Sequence, residues 1–141
     1  MNIAFYAPLK NPNHPVPSGD RLMARLLVAA LEQSGHNVSL ISELRSYAQF
    51  PEADAYADIE KQAEAEIQRL SDQWTVEPPP EIWFSYHPYY KAPDLLGPVL
   101  AARLQIPYVT AETSYSERRN IGYWAQTQDQ VLAGIELAAV N

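Results

Sequence analysis

Short apolar runs alternate along the chain with longer segments in which apolar residues recur at helical spacing. The run NIAFY at positions 2–6 is short and mostly apolar, which is typical of a buried parallel strand. Between Asp20 and Ser34 apolar residues recur every four positions, and this period predicts an amphipathic helix with one apolar stripe. Ser18 is its predicted N-cap and Gly35 the residue that ends it. The predicted stripe comprises Leu22/Met23, Leu26/Leu27 and Ala30/Leu31.

The alternation continues to the end of the chain. Further strands are predicted over 37–42, 82–86 and 106–111, and further helices over 59–74, 95–104 and 124–139. Residues 43–57 show no clean period, and the last helix leads into no predicted strand. Alternating strands and helices predict an α/β fold, a Rossmann-like parallel sheet with helices on both faces. The chain is read as a single domain over residues 1–141.

Composition and charge argue against several classes of function. The 141 residues carry a formal net charge of −7, which argues against nucleic acid as a partner. The chain has no cysteine, and its three histidines lack ligand spacing, so no metal site is predicted. No apolar run approaches the roughly 20 residues of a membrane-spanning helix, and no signal peptide is recognisable. We therefore expect a cytoplasmic protein, with peripheral association at a membrane as an alternative.

Candidate binding residues lie in the loops that follow the predicted strands. Ligands of parallel α/β sheets bind outside the carboxyl ends of the strands. Lys10 and His14 lie in the loop after the first strand, and Ser18 and Gly19 end that loop where the first helix begins. Free N–H groups at a helix N-terminus favour an anion. The alternative is that Ser18 only caps the helix and Gly19 only permits the turn.

The third strand ends in an aromatic and polar cluster that comprises Tyr86, His87, Tyr89 and Lys91. Aromatic faces beside polar edges suit a sugar or another polar acceptor. The alternative is that the tyrosines pack against the sheet edge.

The loop after the fourth strand carries Glu112, Arg118 and Arg119. The Glu112 carboxylate is suited to orient or deprotonate an acceptor hydroxyl, or alternatively to pair with Arg118 or Arg119 and hold the loop. The two arginines suit phosphate or carboxylate recognition, because a guanidinium fork matches those groups. The alternative for them is a solvent-facing basic pair.

The order and spacing of these elements carry a family resemblance. The stretches IAFYAPLKNPNHPVPSGDRLMARLLVAALEQSGHNVSLIS and PDLLGPVLAARLQIPYVTAE resemble the N-terminal domain of a GT-B fold glycosyltransferase, most like family 4. The resemblance covers essentially the whole chain. It implies two Rossmann-like domains facing across a cleft, of which this chain is the acceptor-side one. A C-terminal domain, absent from this chain, would bind a nucleotide-sugar donor and carry an acidic E-x7-E-type motif.

The resemblance also implies roles for particular residues. Ser18 and Gly19 would contact the donor phosphates, and Glu112, which stands where many members have a histidine, becomes the candidate catalytic residue. The candidate acceptor-binding residues are Lys10, His14, Tyr86, His87, Tyr89, Lys91, Arg118 and Arg119. No cofactor besides the nucleotide-sugar substrate is implied, and the chain alone is expected to be inactive.

Two further hypotheses stay open beside the family resemblance. One is a stand-alone Rossmann-like or flavodoxin-like module that binds a small anionic ligand or a protein partner without catalysis. The other is a homodimer formed through the face that the absent domain would cover.

Overall fold

The computed structural model describes all residues from 1 to 141, and its centre is one parallel sheet. The strands are β1 (Asn2–Tyr6), β2 (Asn37–Leu40), β3 (Ile82–Tyr86) and β4 (Tyr108–Ala111), in the spatial order β2-β1-β3-β4. The helices are α1 (Gly19–Gln33), α2 (Ala53–Val76), α3 (Gly97–Leu104) and α4 (Tyr123–Leu137), with a 3-10 turn at Glu117–Arg119. The predicted Rossmann-like α/β fold is confirmed.

Helices cover both faces of the sheet, because successive side chains of a strand point to opposite sides. Tyr6, Trp83 and Tyr108 lie on one face and pack against α2 and α3, represented by Leu70 and Leu100. On the other face the rings of Phe5 and Phe84 stack at 5.4 Å, beneath the buried Ala24 of α1. The two inner strands, β1 and β3, are therefore mostly apolar on both sides, as their sequences predicted, whereas the edge strand β2 is largely exposed.

The boundaries of β1 and β3 agree with the predicted strands, whereas α2 begins earlier than expected. Residues 53–57 were predicted to be irregular, but they form the first turns of α2. The buried side chain in these turns is that of Tyr56, which lies in a separate cluster with Ala48 and Trp124. This segment lacks the period of the later helix because it packs on a different part of the molecule.

Helix α1 turns a different face toward the sheet than its period predicted. Its buried residue is Ala24, with Leu27 and Leu31 packed beside it, whereas Leu22 and Leu26 of the predicted stripe are exposed. The prediction was wrong for those positions. Residues 22–31 are apolar on nearly all sides of the helix, so the spacing alone did not define the buried side.

The residues after α4 lie beside β4, where no partner strand was expected. The N–H of Ala139 donates to the carbonyl oxygen of Tyr108 at 2.8 Å, and the N–H of Thr110 donates to that of Val140 at 3.0 Å. Val140 thereby forms a parallel bridge with Val109. The prediction that α4 leads to no partner was wrong, because two residues of extended chain suffice to pair with the edge of β4.

A buried carboxylate fixes the start of α3. Asp94 accepts hydrogen bonds from the N–H groups of Leu96 and Gly97 at 2.9 and 2.7 Å, from Trp83 Nε1 at 3.0 Å and from the Tyr108 hydroxyl at 3.2 Å. Burial raises the pKa of Asp94, and the hydrogen bond from the Gly97 N–H opposes that rise. The four donors join the α3 N-terminus to β3 and β4.

Candidate functional site

The strand order places a topological switch point between β1 and β3. The crossover after β1 leads to β2 on one side, whereas the crossover after β3 leads to β4 on the other. The loops that follow β1 and β3 therefore diverge at the carboxyl edge, and we call the surface between them the crevice. The order 2-1-3-4 is that of flavodoxin-like doubly wound sheets, whose ligands bind at this switch point.

The N-terminus of α1 opens into this crevice and is held by its own side chains. Ser18 is the N-cap, as predicted, and its Oγ accepts the N–H of Arg21 at 3.2 Å. The N–H groups of Gly19 and Asp20 have no protein acceptor. Since these groups also lie at the positive end of the helix dipole, they are suited to bind an anion.

An acidic and a basic side chain join the end of β3 to the start of α1. Nδ1 of His87 lies 3.0 Å from Oδ1 of Asp20, and both side chains remain partly accessible to solvent. The sequence alone suggests no role for Asp20 beyond the first helical turn, because an acid there is common in any helix. A ligand at the Gly19 and Asp20 N–H groups would also meet the Asp20 carboxylate. The pair therefore favours a ligand that carries a hydroxyl group next to its anionic group, so that the hydroxyl can donate a hydrogen bond to Asp20.

Two residues in the left-handed region stand side by side at the carboxyl edge. His87 and Glu112 have φ angles of 57° and 56°, and each directly follows one of the paired residues Tyr86 and Ala111. The N–H of His87 donates to the carbonyl oxygen of Ala111 at 2.8 Å. Such angles cost on the order of 1 kcal/mol or more for a residue with a Cβ, and they concentrate at functional sites.

Tyr86 positions the Glu112 side chain. Its hydroxyl donates to Oε2 of Glu112 at 3.2 Å. Burial, and then the negative charge of Glu112, raise the pKa of Tyr86, so the phenol remains a donor. The prediction that Glu112 pairs with Arg118 or Arg119 is wrong, since its hydrogen-bond partner is Tyr86 and neither arginine forms a salt bridge.

A row of aromatic rings extends from His87 along the edge. The ring centroids of His87 and Tyr89 lie 5.3 Å apart in a stacked arrangement, those of Tyr89 and Tyr90 lie 5.3 Å apart, and those of Tyr90 and Trp124 lie 5.0 Å apart. Burial raises the pKa of Tyr89 to about 12. The row places aromatic rings beside the polar groups, whereas Tyr86 itself is buried against the sheet.

The remaining predicted cations form no hydrogen bond or ion pair with Asp20, His87 or Glu112. His14 stays within its own loop, where its Nδ1 accepts the Val16 N–H at 3.1 Å. The Lys91 ammonium lies 4.9 Å from the ring centroid of Trp124, so it faces the aromatic cluster beyond Tyr90. Among the predicted cations, the side chains of Lys10, Arg118 and Arg119 have no hydrogen-bond, ion-pair or cation–π partner.

Metal binding and membrane spanning find no support in the structure. No three His, Asp or Glu side chains come together in a way that would hold a metal ion. None of the four helices combines the length and the apolar character needed to cross a bilayer.

A scan of protein-family models finds no match to the chain, and a search of curated proteins finds none either. The function is therefore argued from the crevice itself.

The backbone strain at Glu112 leads to a first prediction. Replacing Glu112 with glycine should raise the free energy of unfolding by about 1 kcal/mol, because glycine adopts a φ of 56° without a steric penalty. The side chain is exposed, so little packing is lost. Urea unfolding measures the change. Glu112→Ala is the control, since it removes the same carboxylate but keeps the Cβ. Equal stabilities of the two variants would contradict the strain argument.

Proposed function

We propose that this chain is the acceptor-side domain of a nucleotide-sugar-dependent glycosyltransferase. The observation that supports it is the convergence of unlike groups on one crevice. The free N–H groups of Gly19 and Asp20, the Asp20–His87 pair and the Glu112 carboxylate belong to three different elements, and all lie at the carboxyl edge. This combination suits a ligand with a phosphate and several hydroxyls, and the family resemblance agrees with it.

Each group has a role in the proposed reaction. The N–H groups at the start of α1 bind the donor diphosphate, where they favour the negative charge of the leaving group. Asp20 and His87 orient a sugar hydroxyl, and the Tyr89 ring provides an apolar surface for the sugar. Glu112, held by Tyr86, takes the proton of the acceptor hydroxyl. The acceptor oxygen bonds to the anomeric carbon as the bond to the diphosphate oxygen breaks, and nucleoside diphosphate leaves.

A second candidate function is favoured by the strand order. The order β2-β1-β3-β4 is the flavodoxin-like one, in which a phosphate-bearing ligand lies at the β1/β3 switch point. The chain would then be a complete binding module for a small anionic ligand, and it would catalyse nothing. Anion binding at Gly19 is common to both candidates, so it does not separate them.

The size of the native gene product separates the two candidates. We expect an immunoblot of the source cells, with an antibody against this domain, to show a band of roughly 35–45 kDa, as for two domains of ordinary size. The purified full-length protein should then release nucleoside diphosphate from a nucleotide sugar in the presence of a hydroxylated acceptor. A band near 15.9 kDa would instead contradict the glycosyltransferase proposal and favour the binding module.

A further inference from the structure

The outward face of α1 is apolar from Leu22 to Ala30. Leu22, Leu26 and Ala29 follow one another at i, i+4 and i+7, and Met23 and Ala30 lie beside them. We call these five residues the outer α1 stripe. The side chains of Leu22, Leu26 and Met23 are 59%, 55% and 40% exposed, so three large apolar side chains face solvent within five residues.

Three of the four charged residues of α1 lie to one side of this stripe, and the fourth, Asp20, lies in the first turn near the sheet. At 100° per residue, Arg21, Arg25 and Glu32 fall on one flank, between the outer stripe and the face that packs on the sheet. The helix is therefore apolar on two opposite sides. A helix that is apolar on opposite sides is expected to be covered on both. The sheet covers only one side of α1.

We propose that a second copy of this chain covers the outer α1 stripe, with the two α1 helices antiparallel across a twofold axis. The stripe is complementary to itself in shape, because its large residues, Leu22 and Leu26, lie toward the N-terminus and its small ones, Ala29 and Ala30, toward the C-terminus. An antiparallel arrangement places large against small at both ends. A twofold interface requires such self-complementarity.

The flanking charges fit the same arrangement. An antiparallel pair brings the basic N-terminal half of each flank, with Arg25, against the acidic C-terminal half of the other, with Glu32. The Nε of Arg25 donates to the carbonyl oxygen of Pro12 at 2.8 Å, which directs the guanidinium without engaging its Nη atoms. Two ion pairs, each between Arg25 of one copy and Glu32 of the other, would therefore lie beside the apolar contact. A parallel twofold pair would instead set this charged flank against the opposite flank of the other helix, where Met23 and Ala30 lie, so Arg25 and Glu32 would not meet. The proposal does not rest on the proposed function, since no stripe residue belongs to the crevice.

Sedimentation velocity on the 141-residue chain tests this interface. Between about 5 and 500 µM, the apparent mass should rise from 15.9 kDa toward twice that value. Leu26→Glu should weaken self-association at least about tenfold, because it buries a charge at the centre of the contact. Leu132→Glu is the matched control, since Leu132 is an exposed leucine of α4 outside the stripe.

Charge exchange tests the antiparallel orientation. Arg25→Glu and Glu32→Arg should each weaken the dimer, and the double variant should recover most of the wild-type association. Circular dichroism of every variant checks that its fold is retained. A wild-type chain that remains monomeric at 500 µM would overturn the proposal. Self-association that Leu26→Glu leaves unchanged, or a double variant no better than the single ones, would overturn it as well.

Discussion

Replacing Gly97 with alanine should lower the free energy of unfolding by about 3 kcal/mol. A Cβ at this position would overlap Trp83 Nε1 and Asp94 Oδ2, and would lie 2.6 Å from Cε2 of Tyr108. None of these atoms has room to retreat, because Trp83 and Tyr108 are buried between β3, β4 and α3. Overpacking of this kind costs up to a few kcal/mol, and here it would also disturb a buried hydrogen-bonded carboxylate.

The measurement is urea unfolding followed by tryptophan fluorescence and far-UV circular dichroism, compared at an unchanged m-value. Gly19→Ala is the matched control. It also lies at the start of a helix, but a Cβ there meets nothing within 4 Å. We expect that variant to stay within about 0.5 kcal/mol of the wild type. Equal stabilities of the two alanine variants would show that the α3 N-terminus relaxes away from the sheet, contrary to the packing argument.

The sequence indicated the fold but not the hydrogen-bond network around Asp94. The strands NIAFY and IWFSY were predicted with their observed bounds because each is a short apolar run bounded by loop residues. Helix α3 begins at Gly97, later than the predicted start at residue 95. The sequence around Asp94, however, contains no feature that indicates its contacts with Trp83 and Tyr108. Those contacts join residues 11 and 14 positions apart, and they depend on the pairing of β3 with β4.

The same limit applies to the candidate site. The rule that ligands bind at the carboxyl ends of parallel strands, together with the family resemblance, pointed to Ser18, His87 and Glu112 as candidates. It did not select Asp20, whose partner is 67 positions away. The left-handed backbone of His87 and Glu112 was also missed, since neither residue type signals a positive φ as glycine would. Long-range partners and backbone strain emerged only from the three-dimensional arrangement.

The other large effect is expected at Glu112. In the full-length protein, Glu112→Gln should lower the rate of sugar transfer about 100-fold, because an amide cannot accept the proton of the acceptor hydroxyl. Its stability should change by less than about 0.5 kcal/mol, since the side chain is exposed and an amide oxygen can still accept the Tyr86 hydroxyl. The measurement is steady-state release of nucleoside diphosphate, with kcat and KM determined separately.

Tyr86→Phe distinguishes a catalytic carboxylate from a structural one. This variant removes the hydroxyl that donates to Glu112 at 3.2 Å but keeps the carboxylate. If Glu112 acts on the acceptor, Tyr86→Phe should cost less than about tenfold in kcat, far less than Glu112→Gln. If the carboxylate only anchors the loop to Tyr86, then Tyr86→Phe should be at least as damaging as Glu112→Gln, which keeps an acceptor for that hydroxyl.

A Glu112→Gln enzyme that retains more than a tenth of the wild-type rate would remove Glu112 from the proposed mechanism. The proposed diphosphate contacts at Gly19 and Asp20 would still stand in that case, since they belong to a different element.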